Sequence, residues 1–476
     1  MRQRLVTDEN KKWWTLAAVA FGLFMIMLDN TVVNVALPSI QEDLGATLSQ
    51  LQWIVTGYAL TFAALMLIGG KLADAYGRRL IFVVGIVVFT LASLWCGLAD
   101  SGNMLIIARI VQGAGAALMN PATLSIIAAT FPPKERGMAI GIWAGVSALA
   151  LAIGPLLGGL LTEHLSWHWI FFVNVPIGVV AIAASYLLIT ESKDSTHVSL
   201  DLPGLGTSAL GLFALTYGLI EANTYGWTSG RILASFIVAA VALVLFVVLE
   251  HRQRVPMLDL SLFRNSTFAG ANTVMLLVAL AMFGMFFFNS LYLQRVLGYS
   301  AIETGASFLP MTVLIVLIAP VAGRFSDRIG SRWLMGAGLV CLSASLLSFS
   351  RLGVDSSFWD VLPGLILGGI GMSLAMTPTT AAAMGSVPVD KAGVGSAVLN
   401  SMRQVGGSLG IALMGAIVAS SIHVGERDPR IAQQFVDGYS NALHVAATIA
   451  LVGAVVAVAT VRQSRHPETK PVLEGA

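Results

Sequence analysis

A chain of 476 residues, 56% of them hydrophobic and only 11% charged, does not fit a water-soluble globule, where about a quarter of residues carry charge. Its apolar residues fall in runs of roughly twenty or more, not in the short alternating segments of an outer-membrane barrel, so the expected fold is an all-α integral membrane protein. A net charge of +2, with Lys and Arg spread through short loops, excludes a nucleic-acid partner; two distant cysteines, Cys96 and Cys341, argue against a disulfide framework or a metal centre.

Fourteen spans are expected, at about 13–37, 50–73, 80–99, 103–130, 137–162, 167–190, 202–222, 231–250, 267–294, 304–323, 332–351, 358–386, 393–421 and 439–461. Arg2, Arg4, Lys11 and Lys12 precede the first run as in a signal peptide, but the run is too long for one and leads into another span, so it is expected to be retained. An even number of spans puts both termini on one side. With the termini inside, 20 of the 27 Lys and Arg residues fall in cytoplasmic segments and five in outer ones, which orients the chain by the positive-inside rule.

The first span places Asp29 inside an otherwise apolar helix, within LDNTVVNVALP (28–38). A carboxylate in the hydrocarbon costs about 2.5–3.5 kcal/mol on insertion scales, and is normally kept where it faces a bundle interior, a wet cavity or a partner. Counted from the span ends, Asp29 lies about 12 Å and Arg109 of the fourth span about 9 Å below the outer surface, close enough to meet. A paired carboxylate stays charged; one that loses its partner in an apolar site takes up a proton, which suits proton coupling. The alternative is a static pair that only fixes the helices.

After the second span, GKLADAYGRR (70–79) recurs 253 residues later as GRFSDRIGSR (323–332), and Gly113-x-Gly115 with Pro121 is echoed by Gly369-x-Gly371 with Pro378. Two six-span repeats fit this period once spans seven and eight are set aside. The expected organisation is a six-helix bundle over 1–191, a linker with two inserted helices over 192–265, and a second six-helix bundle with its tail over 266–476. Gly70, Asp74, Gly77, Arg78 and Arg79, with Asp327 and Arg328 in the second copy, are candidate gate residues. When the cytoplasmic side is closed, Asp74 would complement the N-terminus of a helix in the other half and the arginines would pair across the halves; breaking those contacts would open the gate. A short basic loop that merely obeys topology is the plainer reading. In span five, Gly141, Gly145, Gly154, Pro155, Gly158 and Gly159 form a small-residue stripe with a helix breaker, suited to a gating interface and also to plain packing.

Arg403, beside Gln404 in span thirteen, is a cation near the bilayer middle with no carboxylate inside spans nine to thirteen. It either meets backbone carbonyls and water or attracts an anionic or carbonyl-rich substrate. In span nine, Met282, Met285, Phe286, Asn289 and Tyr292 combine adaptable apolar surface with polar handles, and Asn30, Asn34, Gln52, Trp53, Tyr58 and Gln112 are the corresponding substrate candidates of the first half. Glu221, near the outer end of span seven, is read as interfacial.

Taken together, LDNTVVNVALP, QWIVTGYAL (52–60), GKLADAYGRR, RIVQGAGAA (109–117), GPLLGG (154–159) and LNSMRQVGGSLG (399–410) resemble the fourteen-span drug:proton antiporters of the major facilitator superfamily. One departure is Ala75, where that family usually has arginine. The resemblance implies a major facilitator fold and multidrug or antibiotic efflux by alternating access, with Asp29 carrying the proton and Arg109 tuning it. It also favours antiport, through the motif in span five. No phosphate-binding GxxxxGK[ST] loop and no metal or nucleophile spacing is present, so neither ATP drive, an enzyme nor a cofactor is expected. The expected partners are a drug-like small molecule, protons and the lipid bilayer. A monomer in a bacterial cytoplasmic (inner) membrane is expected, multi-pass, with both termini cytoplasmic. Because the second half lacks membrane carboxylates, neutral or weakly charged amphipathic substrates are favoured over dications. A proton-coupled importer or uniporter of a polar metabolite, and a non-transporting receptor or scaffold, are the rival readings.

Overall fold

The computed structural model describes residues 10–193, 201–253, 256–388, 391–425 and 428–462; some side chains of the fifth helix, and those of Asp327 and Arg328, lie outside that description. Among the described residues the ordered backbone is helical, with no strand. The helices are α1 Lys11–Leu44, α2 Leu48–Tyr76, α3 Arg78–Gly97, α4 Gly102–Thr130, α5 Pro133–His164, α6 Trp169–Phe172, α7 Asn174–Leu188, α8 Leu202–Tyr225 and α9 Gly230–Arg252. They continue with α10 Ser266–Arg295, α11 Ala301–Ser307, α12 Leu309–Ile329, α13 Ser331–Phe349, α14 Phe358–Gly385, α15 Ala392–Ser421 and α16 Ile431–Thr460. Thirteen stretches are long and apolar enough to cross a membrane, with α6 and α7 forming one of them and α11 and α12 another. The 32-residue α5 is the remaining long helix.

The main departure from the expected boundaries is in α1, which does not stop at Pro38 but runs on to Leu44. Proline has no N–H to donate, so it frees the carbonyl four residues back, at Asn34. Ser290 Oγ of α10 donates to that carbonyl at 2.7 Å, and Gln294 Nε2 donates to Val35 O at 2.8 Å. Contacts from a distant helix thus satisfy the backbone where proline interrupts it, and Asp29 lies 15 residues from the end of α1, about 22 Å along its axis. The last span also begins earlier than expected, at Ile431.

The internal repeat has a physical counterpart. Gly77, between α2 and α3, has φ 125°, and Gly330, between α12 and α13, has φ 89°. Both sit in a region that favours glycine, which explains why that residue recurs at the turn. Likewise Gly113 and Gly115 let α4 approach α2 and α3: a Cβ would stand 2.4 Å from Tyr58 O and 2.5 Å from Phe89 N. Gly369 and Gly371 do the same for α14 against α12 and α13, with approaches of 2.7 Å to Met311 O and to Leu342 N.

Helices α8 and α9 pack as a hairpin, and α8 lies against both α2 and α15. Glu221 is not merely interfacial: Ser49 Oγ donates to its Oε1 at 2.6 Å and Trp53 Nε1 at 3.3 Å, while Asn223 Nδ2 donates to Ala416 O of α15 at 2.7 Å. At the other end Asp201 caps α8 through Gly204 N at 2.7 Å, and Lys71 Nζ donates to Pro256 O at 2.9 Å. Glu221→Ala is expected to cost about 1–3 kcal/mol by leaving Ser49 and Trp53 without their acceptor. A lowered thermal midpoint in detergent, with transport retained, checks this; an unchanged midpoint would mean that the contact contributes nothing.

On the face where α1 begins and α16 ends, Lys391 Nζ donates to Asp259 at 2.7 Å, tying the segment before α10 to α15. The hydrogen bond from Lys391 holds the Asp259 carboxyl down at about 2. The folded state therefore keeps the Asp259 carboxylate ionised through and above the ordinary aspartate range, and the contact's contribution is lost only as pH falls toward that value.

The halves of the chain meet mainly toward the opposite face. There Gly159 and Gly305 allow α5 and α11 to cross: a Cβ on Gly159 would stand 2.4 Å from Ala301 O, and one on Gly305 2.3 Å from Pro155 O. Gln52 Nε2 of α2 donates to Ile411 O of α15 at 2.8 Å. Nearer the terminal face the stripe opens out, since a Cβ at Gly141 or Gly145 would meet nothing within 4 Å.

Candidate functional site

Asp29 and Arg109 meet in the interior, both essentially inaccessible. Arg109 Nη1 donates to Asp29 Oδ2 at 2.5 Å and to Gln112 Oε1 at 2.7 Å, and Gln112 Nε2 donates to Asp29 Oδ1 at 3.0 Å. Arg109 Nε donates to Ile54 O at 3.1 Å. The Tyr58 ring lies 4.1 Å from the guanidinium and that of Phe171 5.7 Å. Cys96 Sγ donates to Gln112 Oε1 at 3.6 Å. Spacing explains the arrangement: Arg109 and Gln112, three apart on α4, share a helix face, so one carboxylate takes a hydrogen bond from each. Both Asp29 oxygens are satisfied, as a charge in a low-dielectric interior requires.

Beside this network a cavity lies between the two halves of the chain. Asn30 and Asn34 of α1 line it, as do Pro155, Met282, Phe286 and Arg403. Of these, Asn30 and Asn34 direct an amide donor back to their own helix, to Ile26 O at 2.8 Å and Asn30 O at 3.3 Å. Sequence reasoning missed Thr31, Phe283, Phe308, Met372, Met376 and Gln404, which share the lining. Met372 and Met376 carried a legible signal, an i, i+4 methionine pair on one face.

Other substrate candidates are placed elsewhere. Trp53 faces the α8–α9 hairpin, stacked on Phe213 at 6.3 Å and bonded to Glu221. Gln52 bridges α2 and α15, as described, and Gln112 and Tyr58 belong to the Asp29–Arg109 network. Tyr292 is buried in the second half, its hydroxyl donating to Gly353 O at 2.6 Å. Asn289 is fully buried, its carboxamide without a hydrogen-bond partner among the described residues, and like Met285 it does not line the cavity.

The gate candidates do not reach across the halves in this conformation. Asp74 Oδ1 pairs with Arg78 of its own loop at 3.0 Å. The helix N-terminus at this loop is instead capped by Glu191, which accepts from Arg79 N and Leu80 N at 3.1 Å each and approaches Arg79 Nε at 3.7 Å. The reason is geometric: the stripe opens at this face, leaving Arg78 and Arg79 to carboxylates of the first half. Gly70 packs near Pro121, at 3.5 Å from a built Cβ. Gly154 and Gly158 lie against Thr31 and Val32 of α1, and Pro155 O lies under Gly305. The side chains of Asp327 and Arg328 are outside the described residues.

The sequence profile described as Major Facilitator Superfamily matches residues 19–411 and 274–475. The chain is 34% identical to the tetracenomycin C resistance and export protein of Streptomyces glaucescens, over 97% of its own length and 94% of the relative's. It is 37% identical to the puromycin resistance protein pur8 of Streptomyces alboniger, over 94% of this chain and 91% of that one. Among solved structures, it is similar to a bacterial homolog of the human lysosomal transporter Spinster in an inward-facing, unoccupied conformation. The TM-score there is 0.66 at 19% identity, covering 96% of this chain and 98% of the other, a likeness of fold.

Proposed function

The chain belongs to the Major Facilitator Superfamily, a multi-pass membrane transporter fold, and we propose that it exports drug-like amphipathic molecules, antibiotics among them, in exchange for protons. The observation that carries this reading is the buried Asp29–Arg109–Gln112 network set beside a largely apolar cavity at the meeting of the two halves. Asp29 is the proton carrier and Arg109 its counter-ion. When Asp29 takes a proton from outside, its ion pair with Arg109 is lost, and the network rearranges with the halves. The moving bodies are residues 1–191 and 266–476, with the inserted pair of 192–265 riding at their seam.

The chain works as a monomer in the bacterial cytoplasmic membrane with both termini inside, as the Lys and Arg distribution supports. On that orientation the closed α5–α11 crossing is the outer gate, and the open glycine stripe faces the cytoplasm. One proton entering down about 150 mV supplies roughly 3.5 kcal/mol, enough to hold a neutral drug at a gradient of a few hundredfold. In energised inverted vesicles, adding a transported drug is expected to release protons from the lumen. Proton-linked loss of the compound from the vesicles would instead mean import, and overturn the proposal.

A further inference from the structure

Arg403 is the one charged side chain on the lining of the central cavity among the described residues, and nothing there neutralises it. Among the described residues it enters no salt bridge, and its Nε is enclosed without a hydrogen-bond partner. Asp29, the carboxylate nearest in chemistry, has both oxygens held by Arg109 and Gln112. The titratable neighbour within electrostatic reach of Arg403 is the Tyr58 phenol, itself packed on Arg109. Next to Arg403, Gln404 is buried with its Nε2 likewise unpartnered. A guanidinium and an amide donor therefore stand together in a cavity whose apolar walls are Phe283, Phe286, Phe308 and methionines, with uncharged polar side chains such as Asn30, Asn34 and Ser373 completing the lining. An unpaired cation at this depth is costly, and a counter-ion that arrives and leaves explains its retention.

We propose that Arg403 and Gln404 form an anion-binding subsite, and that the transported compounds are aromatic organic acids bearing one carboxylate or ionised enol oxygen on an apolar ring system. This inference rests on the export reading. The planar fork of Arg403 matches a carboxylate or a chelating pair of oxygens, Gln404 supplies a further donor, and the aromatic walls take the ring. The energetics of exchange then differ from those of a neutral drug. One proton inward against one monoanion outward moves two charges, so the accumulation ratio changes about tenfold per 30 mV of membrane potential, against about 60 mV for a neutral compound.

The test uses the full-length protein in nanodiscs and proteoliposomes, with 9-anthracenecarboxylate and its methyl ester as matched probes. Fluorescence titration is expected to show the acid binding at least tenfold tighter than the ester to the wild type. Arg403→Gln should reduce that preference to twofold or less, and Arg403→Lys should restore part of it. The acid should raise the thermal midpoint of the wild type and not of Arg403→Gln, which removes a partly buried charge without a salt-bridge partner among the described residues and is expected to fold well. Equal binding of acid and ester, no binding of the acid, or an acid preference that survives in Arg403→Gln would each overturn the subsite. Asp29→Asn separates the two claims: proton-coupled transport of ester and acid alike, lost in Asp29→Asn but indifferent to Arg403, would uphold export and sink this inference.

Discussion

Asp29→Asn is expected to reduce drug resistance in a host stripped of its own pumps to the level of cells carrying no transporter. Two effects act at once in that variant. The proton-carrying group is gone, and Arg109 is left buried without its counter-ion, 2.5 Å from an amide instead of a carboxylate. Removing one partner of such a pair costs about 3–5 kcal/mol, so lost resistance alone would not distinguish failed coupling from failed folding. The double variant Asp29→Asn/Arg109→Gln resolves this. With both charges gone, Gln112 and two new amides can hydrogen bond among themselves, and the thermal midpoint is expected to recover most of the loss. Resistance is not expected to return. A double variant that folds and still protects the host would show that the pair is structural scaffolding.

The second large effect is expected at the crossing of α5 and α11. A valine at Gly305 would place its Cβ 2.3 Å from Pro155 O, and one at Gly159 would place it 2.4 Å from Ala301 O. The opposing atoms are backbone carbonyls, which cannot swing aside as a side chain would, so the helices must separate. Because the crossing joins the two halves only in the conformation closed at this face, separation shifts the population toward the opposite one. Each 1.4 kcal/mol of that shift changes the ratio of states tenfold. Export is expected to fall by at least that factor, while the protein still reaches the membrane. A cysteine at Thr304, which is fully buried and whose hydroxyl bonds nothing, reports on the crossing in a Cys96→Ser/Cys341→Ser background. Labelling of that cysteine by an impermeant maleimide should be faster in Gly305→Val than in the parent. Equal rates together with normal export would show that the crossing does not limit the cycle. Gly145→Val should act with the opposite sign: it meets no atom in the present conformation and would obstruct closure of the other face.

Much of the fold was legible because hydropathy and helix length carry it: a run of twenty apolar residues has few alternatives in a membrane. The pairing of Asp29 with Arg109 was legible for a related reason, since two opposite charges at similar depth have little choice of partner. What escaped the sequence depends on contacts between distant segments. Where α1 continues past Pro38, the freed carbonyl of Asn34 takes its donor from Ser290, more than 250 residues away, and no local rule anticipates it. The chemistry of Trp53 alone suggests a substrate contact; the acceptor that orients it, Glu221, belongs to α8, more than 160 residues away. Gln112 belongs with the ion pair because of its position three residues after Arg109, a relation that was visible and not used. The gate loop illustrates a different limit. Its cross-half contacts are expected of the state closed at that face, and in the conformation described, open there, Asp74 and the arginines bond within the first half; a sequence does not say which state is the stable one.

The central claim is that Asp29 carries the coupling proton. Its most direct test is substrate-dependent proton flux in proteoliposomes of defined orientation, comparing the wild type with Asp29→Asn/Arg109→Gln at matched protein content and confirmed folding. The account predicts proton movement opposite to drug in the wild type and none in the double variant, whatever compound is supplied. Drug-driven proton flux that persists in the folded double variant would contradict it.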